Sequence, residues 1–398
     1  TLIMAETSLG RMTRKSPVGA FESFGNSHFI SIGGWINAII PILIVPYYSV
    51  IGGWVIKYLI EYFAGHSKTL AGDAYFTTFI SNGWSTEICF IIFTLFTLGI
   101  IYAGVRNGIE RVSRFMMPIL IVLSLIIAVY SVTRPGAIEG VKYFLVPNFD
   151  HFSWMTVVSA MGQMFYSLSI AMGILITFGS YMKKDTSIEK STENVEIFDT
   201  AIAIMAGLMI IPAVFAFSGG NAETLKSGPA LMFITIPKVF ANMGFGTAIG
   251  IVFFLLVLFA AVTSSIALTE SAVSTFEDEL HWSRKKSTVF MGMVMLLLGT
   301  LSCLGYGPLA NFKILGMQFL DFFDFITNSV MMPIAAIATC LLVSKVVGVD
   351  KIEEEIKKDG QAFRRKKIFC FMIKYLCPLF AAIILISSVA NAFGIITM

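Results

Sequence analysis

Charged residues are scarce in this chain. They make up 13% of its 398 residues, about half of what a soluble domain carries. So little charge, beside 36 Phe and 21 Met, excludes a soluble enzyme, a disordered protein and a nucleic-acid binder. Cysteine is also sparse. Cys89, Cys303, Cys340, Cys370 and Cys377 sit singly in apolar stretches without a CxxC spacing, so neither a disulfide framework nor a zinc site is indicated. The four histidines, His28, His66, His151 and His281, are scattered at the ends of apolar runs. HExxH, GxSxG, GxGxxG and P-loop strings are missing. Nothing here pairs a nucleophile with a base.

Long apolar runs are what the chain has instead, with a mean hydropathy of +0.81. A bilayer crossing takes about 20 such residues. They occur at roughly 30–62, 86–104, 112–132, 154–181, 196–218, 244–275, 286–306, 317–347 and 368–396. That predicts nine complete spans of an all-α polytopic membrane protein. Thr1–Gly10 reads as the end of a tenth span, and the chain as an N-terminally shortened one without a signal peptide.

The connections alternate in charge. One set holds Arg11, Arg14 and Lys15, then Arg106, Arg111 and Arg114, then Lys183, Lys184 and Lys190, then Arg284, Lys285 and Lys286. It ends in 345–367, with eight cations from Lys345 to Lys367. The other set is poor: His66 and Lys68, Arg134 and Lys142, Lys226 and Lys238, and Lys313. The rich set is expected in the cytoplasm. Segment 349–367 reads as a cytoplasmic amphipathic helix, with contact to anionic lipid as the second reading.

Four polar clusters interrupt the apolar spans, and polar groups at membrane depth are costly enough to mark candidate sites. Gly162–Gly173 encloses Ser167-Leu-Ser169 between glycines. It is expected either to break its helix around a ligand or to be small-residue helix packing. In Phe259–Ala267, Thr263 and Ser264 lie about one turn beyond Ala260. The Ala260 carbonyl and two hydroxyls can therefore converge on a small cation, or the hydroxyls can bond back to the preceding turn. Asp199 is either a ligand or a helix N-cap. In Tyr47-Tyr48, after Pro46, Tyr48 either bonds a ligand or packs with its hydroxyl on a neighbouring helix.

These clusters, with Met4–Arg11 and Phe276-Glu-Asp-Glu-Leu280, resemble the neurotransmitter:sodium symporter family in its bacterial eleven-helix branch, that of the leucine transporter LeuT. The resemblance covers essentially the whole chain. It implies the fold that the family lends as the general example of inverted repeats and broken helices: one transmembrane domain, 1–398, lacking the first helix. Residues 1–150 would hold the rest of the first repeat, 151–347 the second, and 348–398 a cytoplasmic loop and the eleventh helix, with about ten membrane segments in all.

Carried over by motif, the resemblance implies one sodium site at Ser167 and Asp199 and another at Ala260, Thr263 and Ser264. The substrate pocket would comprise Ile44, Tyr48, Tyr166, Ser167, Ser169, Met172, Ser264 and Leu268, with Tyr48 bonding the substrate carboxylate and Tyr166 as an aromatic lid. Asp324 and Asp278 would be the acidic halves of the outer and cytoplasmic gates, their arginine partners lying in the missing part. Glu6 would support unwound backbone. Gln163 and Gly173 would shape the broken span, and Gly108 and Pro118 the unwinding of the fifth helix.

The function implied is sodium-coupled import of a neutral apolar L-amino acid, aromatic or branched-chain, by alternating access. The partners are that amino acid, sodium as coupling ion and the lipid bilayer, with no other cofactor and no nucleic acid. Two rivals share the fold: a sensor that binds without transporting, and a proton-coupled or exchange transporter. A chain expressed from Thr1 is expected neither to transport nor to hold sodium tightly, because both sites borrow ligands from the first helix in the family.

Overall fold

The computed structural model describes residues 1–25, 27–221, 225, 228–360 and 362–394. Lys226 of the outer-loop set lies outside them. Thirteen helices organise the chain: α1 (Leu2–Thr13), α2 (Pro17–Glu22), α3 (His28–Phe63), α4 (Gly83–Tyr102), α5 (Arg111–Val132), α6 (Trp154–Ser167), α7 (Ile174–Tyr181), α8 (Ile188–Ser218), α9 (Gly246–Leu280), α10 (Arg284–Leu304), α11 (Phe319–Val347), α12 (Val349–Ile356) and α13 (Lys366–Ala392). Shorter helices fill the loops. Among the described residues, eight helices are long and apolar enough to cross a membrane. The ninth expected span, 154–181, is present as α6 and α7 with a break between them. The chain is a multi-pass, all-helical membrane protein.

Small residues let these helices approach closely, as interfaces in lipid require. A Cβ on Gly10 would run into the Ile176 carbonyl, and one on Gly179 would meet Thr7, so α1 and α7 cross backbone to backbone. Outside that crossing, buried hydroxyls tie helices together. Ser131 donates to the Met209 carbonyl at 2.6 Å and Tyr58 to that of Phe233 at 2.7 Å. Trp54, Phe76 and Phe233 pack ring to ring at 5.2–5.7 Å, fastening the outer loop helices onto α3.

Segment 349–367 departs from the expected helix. The helix that starts at Val349 ends at Ile356; Gly360, at φ 76°, lies in the left-handed region, and α-helix returns with Lys366 and Lys367 at the start of α13. Four of its cations, Lys357, Lys358, Arg365 and Lys366, hold glutamates while their side chains stay more than a third exposed. Arg11, 2% exposed, donates to Glu355 at 2.7 Å and to the Thr186 carbonyl at 2.7 Å. Arg365 pairs with Glu196 at 2.7 Å and Glu193 at 3.3 Å, while Glu189 accepts the backbone N–H groups of Arg364 and Arg365. Lys357 and Lys366 together hold the Glu353 carboxyl below its usual range.

Candidate functional site

The break between α6 and α7 is the origin of the site. Ser169, Ala171 and Gly173 have φ of 53°, 58° and 70°, a conformation that only glycine adopts freely. Two non-glycine residues held there store strain that the surroundings must offset. The Ala171 N–H is satisfied by Glu6, whose Oε1 accepts it at 2.9 Å from the facing helix α1. Gly173 fits because it lacks a side chain: a Cβ would stand 2.7 Å from Pro17 and 2.8 Å from the Asn37 carbonyl. That carbonyl has no partner four residues on, since Pro41 lacks an N–H. Gly173→Ala is therefore expected to lower uptake severalfold at unchanged expression, measured per milligram of purified protein in liposomes.

A cavity of about 270 Å³ opens at the break. Ile44 and Tyr48 of α3 line one side and Ser264 and Leu268 of α9 another. Tyr166, Ser167, Ser169 and Met172 complete it from the broken span. The eight residues assigned to a substrate pocket by resemblance thus share one cavity. Gln163, Ile174 and Ala267 join them, and among the described residues no charged side chain lines it. The Tyr48 hydroxyl meets Ser264.

Asp199 lies well inside α8, whose N-cap is Ser187, so the N-cap explanation fails. It accepts a hydrogen bond from Ser167 at 2.5 Å, joining two residues 32 positions apart that were assigned to one sodium site. On α9, the Thr263 hydroxyl donates to the Ala260 carbonyl at 3.0 Å and to that of Phe259 at 3.1 Å. The hydroxyl is thus bonded back to the preceding turn, and the three oxygens of Ala260, Thr263 and Ser264 sit within little more than one turn of a single helix.

A second cavity of about 390 Å³ adjoins the first through Gln163 and Tyr166, which line both. Asp324 stands in its wall, accepting from Asn328 at 2.6 Å and Tyr47 at 3.2 Å. Tyr47 stood in the sequence reading only as the neighbour of Tyr48, and Asn328 was missed although it follows Asp324 by one helical turn. Asp278, assigned to the cytoplasmic gate, accepts the backbone N–H of Ser16, the residue capping α2. Gly108 lies in a π-helical turn, Val105–Glu110, ahead of α5, and Pro118 within α5.

The profile of the Sodium:neurotransmitter symporter family matches residues 66–395. The chain belongs to that family. It is 31% identical to the uncharacterized sodium-dependent transporter YhdH of Bacillus subtilis, covering 100% of this chain and 87% of that one. An uncharacterized sodium-dependent transporter of Haemophilus influenzae is 29% identical over 97% of this chain and 86% of its own. Among solved structures, MhsT in complex with L-phenylalanine superposes with a TM-score of 0.85 at 32% identity, covering 97% of this chain and 88% of that one. This symporter-family chain therefore has the LeuT-type fold, is a sodium-dependent transporter rather than an enzyme, and takes sodium as its coupling ion.

Proposed function

We propose that the chain imports a neutral apolar L-amino acid, aromatic or branched-chain, together with sodium. The observation that carries this reading is the lining of the 270 Å³ cavity. Ile44, Met172 and Leu268 supply apolar walls, while Tyr48, Tyr166 and the serines supply hydrogen bonds. With no lysine, arginine or carboxylate in the lining, a charged substrate side chain would be desolvated without a partner, a costly arrangement. Met172 adds an adaptable wall. The phenylalanine bound by MhsT supports the same substrate class.

Tyr48 is the residue to bond the substrate carboxylate. Sodium belongs at Ser167 and Asp199 in one site and at Ala260, Thr263 and Ser264 in the other. Tyr166 closes the cavity from the Asp324 side, Asp278 holds the cytoplasmic side, and Gly108 with Pro118 provides the loosened segment of α5. The bundle rocks about the sodium and substrate held in the cavity. Two sodium ions entering down about 100 mV release about 4.6 kcal/mol, enough for roughly a thousandfold accumulation.

Competition for labelled uptake tests the substrate class. Phenylalanine, leucine or isoleucine is expected to compete at concentrations at least tenfold below those needed for glycine, aspartate or lysine. Aspartate or lysine as best competitor would overturn the reading. Uptake by the protein with and without sodium separates the rivals: binding without accumulation marks a sensor, and sodium-independent uptake marks a proton-coupled or exchange transporter.

A further inference from the structure

A separate apolar groove of about 470 Å³ runs along the outside of the bundle between the first turns of α3 and the last turns of α11. Its floor exists because Gly33 has no side chain: a Cβ there would stand 2.9 Å from Phe21 and 3.1 Å from Ala338. Ile36, Ile337 and Leu341 belong to its walls, and one charged residue, Lys345, belongs to its lining. From Ile334 to Val346 the groove follows twelve helical steps, about 18 Å at 1.5 Å each. Half of the hydrocarbon core is about 15 Å thick. The groove is therefore one leaflet deep. Lys345 stands at the end assigned to the cytoplasm by the basic loops.

The charge on that rim is unmatched. Lys357, Lys358, Arg365 and Lys366 each hold a glutamate, whereas Lys345 holds no carboxylate among the described residues. Glu22, on the neighbouring α2, accepts from Ser31 at 2.7 Å. We propose that this groove is a binding site for an anionic phospholipid of the inner leaflet, with one acyl chain along Gly33 and Ala338 and the phosphate at Lys345. An acyl chain fits a trough that is apolar for one leaflet's depth, and a phosphate supplies the charge that the rim lacks. The site lies apart from the transport cavity, with which it shares no lining residue.

Native mass spectrometry of the purified protein, delipidated and mixed with equal dioleoyl phosphatidylglycerol and dioleoyl phosphatidylcholine, tests it. The most tightly retained lipid is expected to be phosphatidylglycerol, favoured about fivefold, the weight of one lysine near an anionic surface. Lys345→Glu should bring the ratio to unity or below, and Lys345→Arg should keep it. Lys351→Glu, a charge change on α12 outside the groove lining, should leave it alone. Ile337→Trp, filling the trough, should release the retained lipid from a protein that stays monodisperse. An even ratio in the unmodified protein, or equal loss in Lys345→Glu and Lys351→Glu, would overturn the proposal. So would retention of a second protein copy, rather than lipid, that Ile337→Trp abolishes.

Discussion

Replacing Asp199 by asparagine is expected to raise the sodium concentration needed for half-maximal uptake at least tenfold, or to make uptake depend on chloride. A carboxylate about 4 Å from a cation contributes about 4 kcal/mol at an effective dielectric of 20, and a third of that is already a factor of ten. Asparagine keeps an oxygen for Ser167, which donates to Asp199 at 2.5 Å, so packing and the hydrogen bond survive while the charge goes. The family resemblance implies an anion beside the corresponding sodium in chloride-dependent members and a fixed acid nearby in chloride-independent bacterial ones. The acid position of LeuT is occupied here by Ala203, one turn after Asp199, so Asp199 would supply ligand and charge together. Uptake by the unmodified protein should be indifferent to exchange of chloride for gluconate. Full activity of Asp199→Asn at ordinary sodium, with no chloride effect, would remove Asp199 from the sodium site.

The spans were legible in the sequence because a bilayer imposes a length. A run such as 244–275 has to be helical for at least 20 residues, and α9 runs Gly246–Leu280. Segment 349–367 was less legible. Its heptad-like alternation of isoleucine and charge fits a helix as far as Ile356, but long-range partners then decide its path. Glu189 captures two backbone N–H groups 175 and 176 residues away, and no local pattern announces that. The site divides the same way. Resemblance gathered Ile44, Tyr48, Ser264 and Leu268 into a pocket, and they share one cavity. Asn328 escaped notice, and Tyr47 was named only beside Tyr48, because an asparagine and a tyrosine in a span read as ordinary packing until Asp324 is seen between them. At Thr263, the back-bonded hydroxyl was one of two readings that a hydroxyl run leaves open.

Glu6→Leu is expected to abolish uptake, and Glu6→Gln to retain a substantial part of it. Glu6 is fully buried on α1, and its Oε1 takes the N–H of Ala171 at 2.9 Å, a group that the broken helix cannot satisfy itself. Leucine removes the acceptor and leaves that N–H in a membrane interior, where an unsatisfied backbone group costs several kcal/mol. The break between α6 and α7 can answer only by rewinding or shifting. Rewinding would take Ser169 and Ala171 out of their left-handed conformation, relieving about 1–3 kcal/mol of strain at each. The strain and the orphaned donor therefore push in the same direction, toward a continuous helix without the cavity. Glutamine is nearly isosteric and keeps a carbonyl oxygen for Ala171, so the break should persist. Substrate binding by scintillation proximity separates this from misfolding. Glu6→Leu should yield monodisperse protein that binds substrate at least a hundredfold more weakly, with Glu6→Gln within about tenfold of the unmodified chain. Equal loss in both variants would mean that the charge of Glu6, rather than its bond to Ala171, is what the site requires.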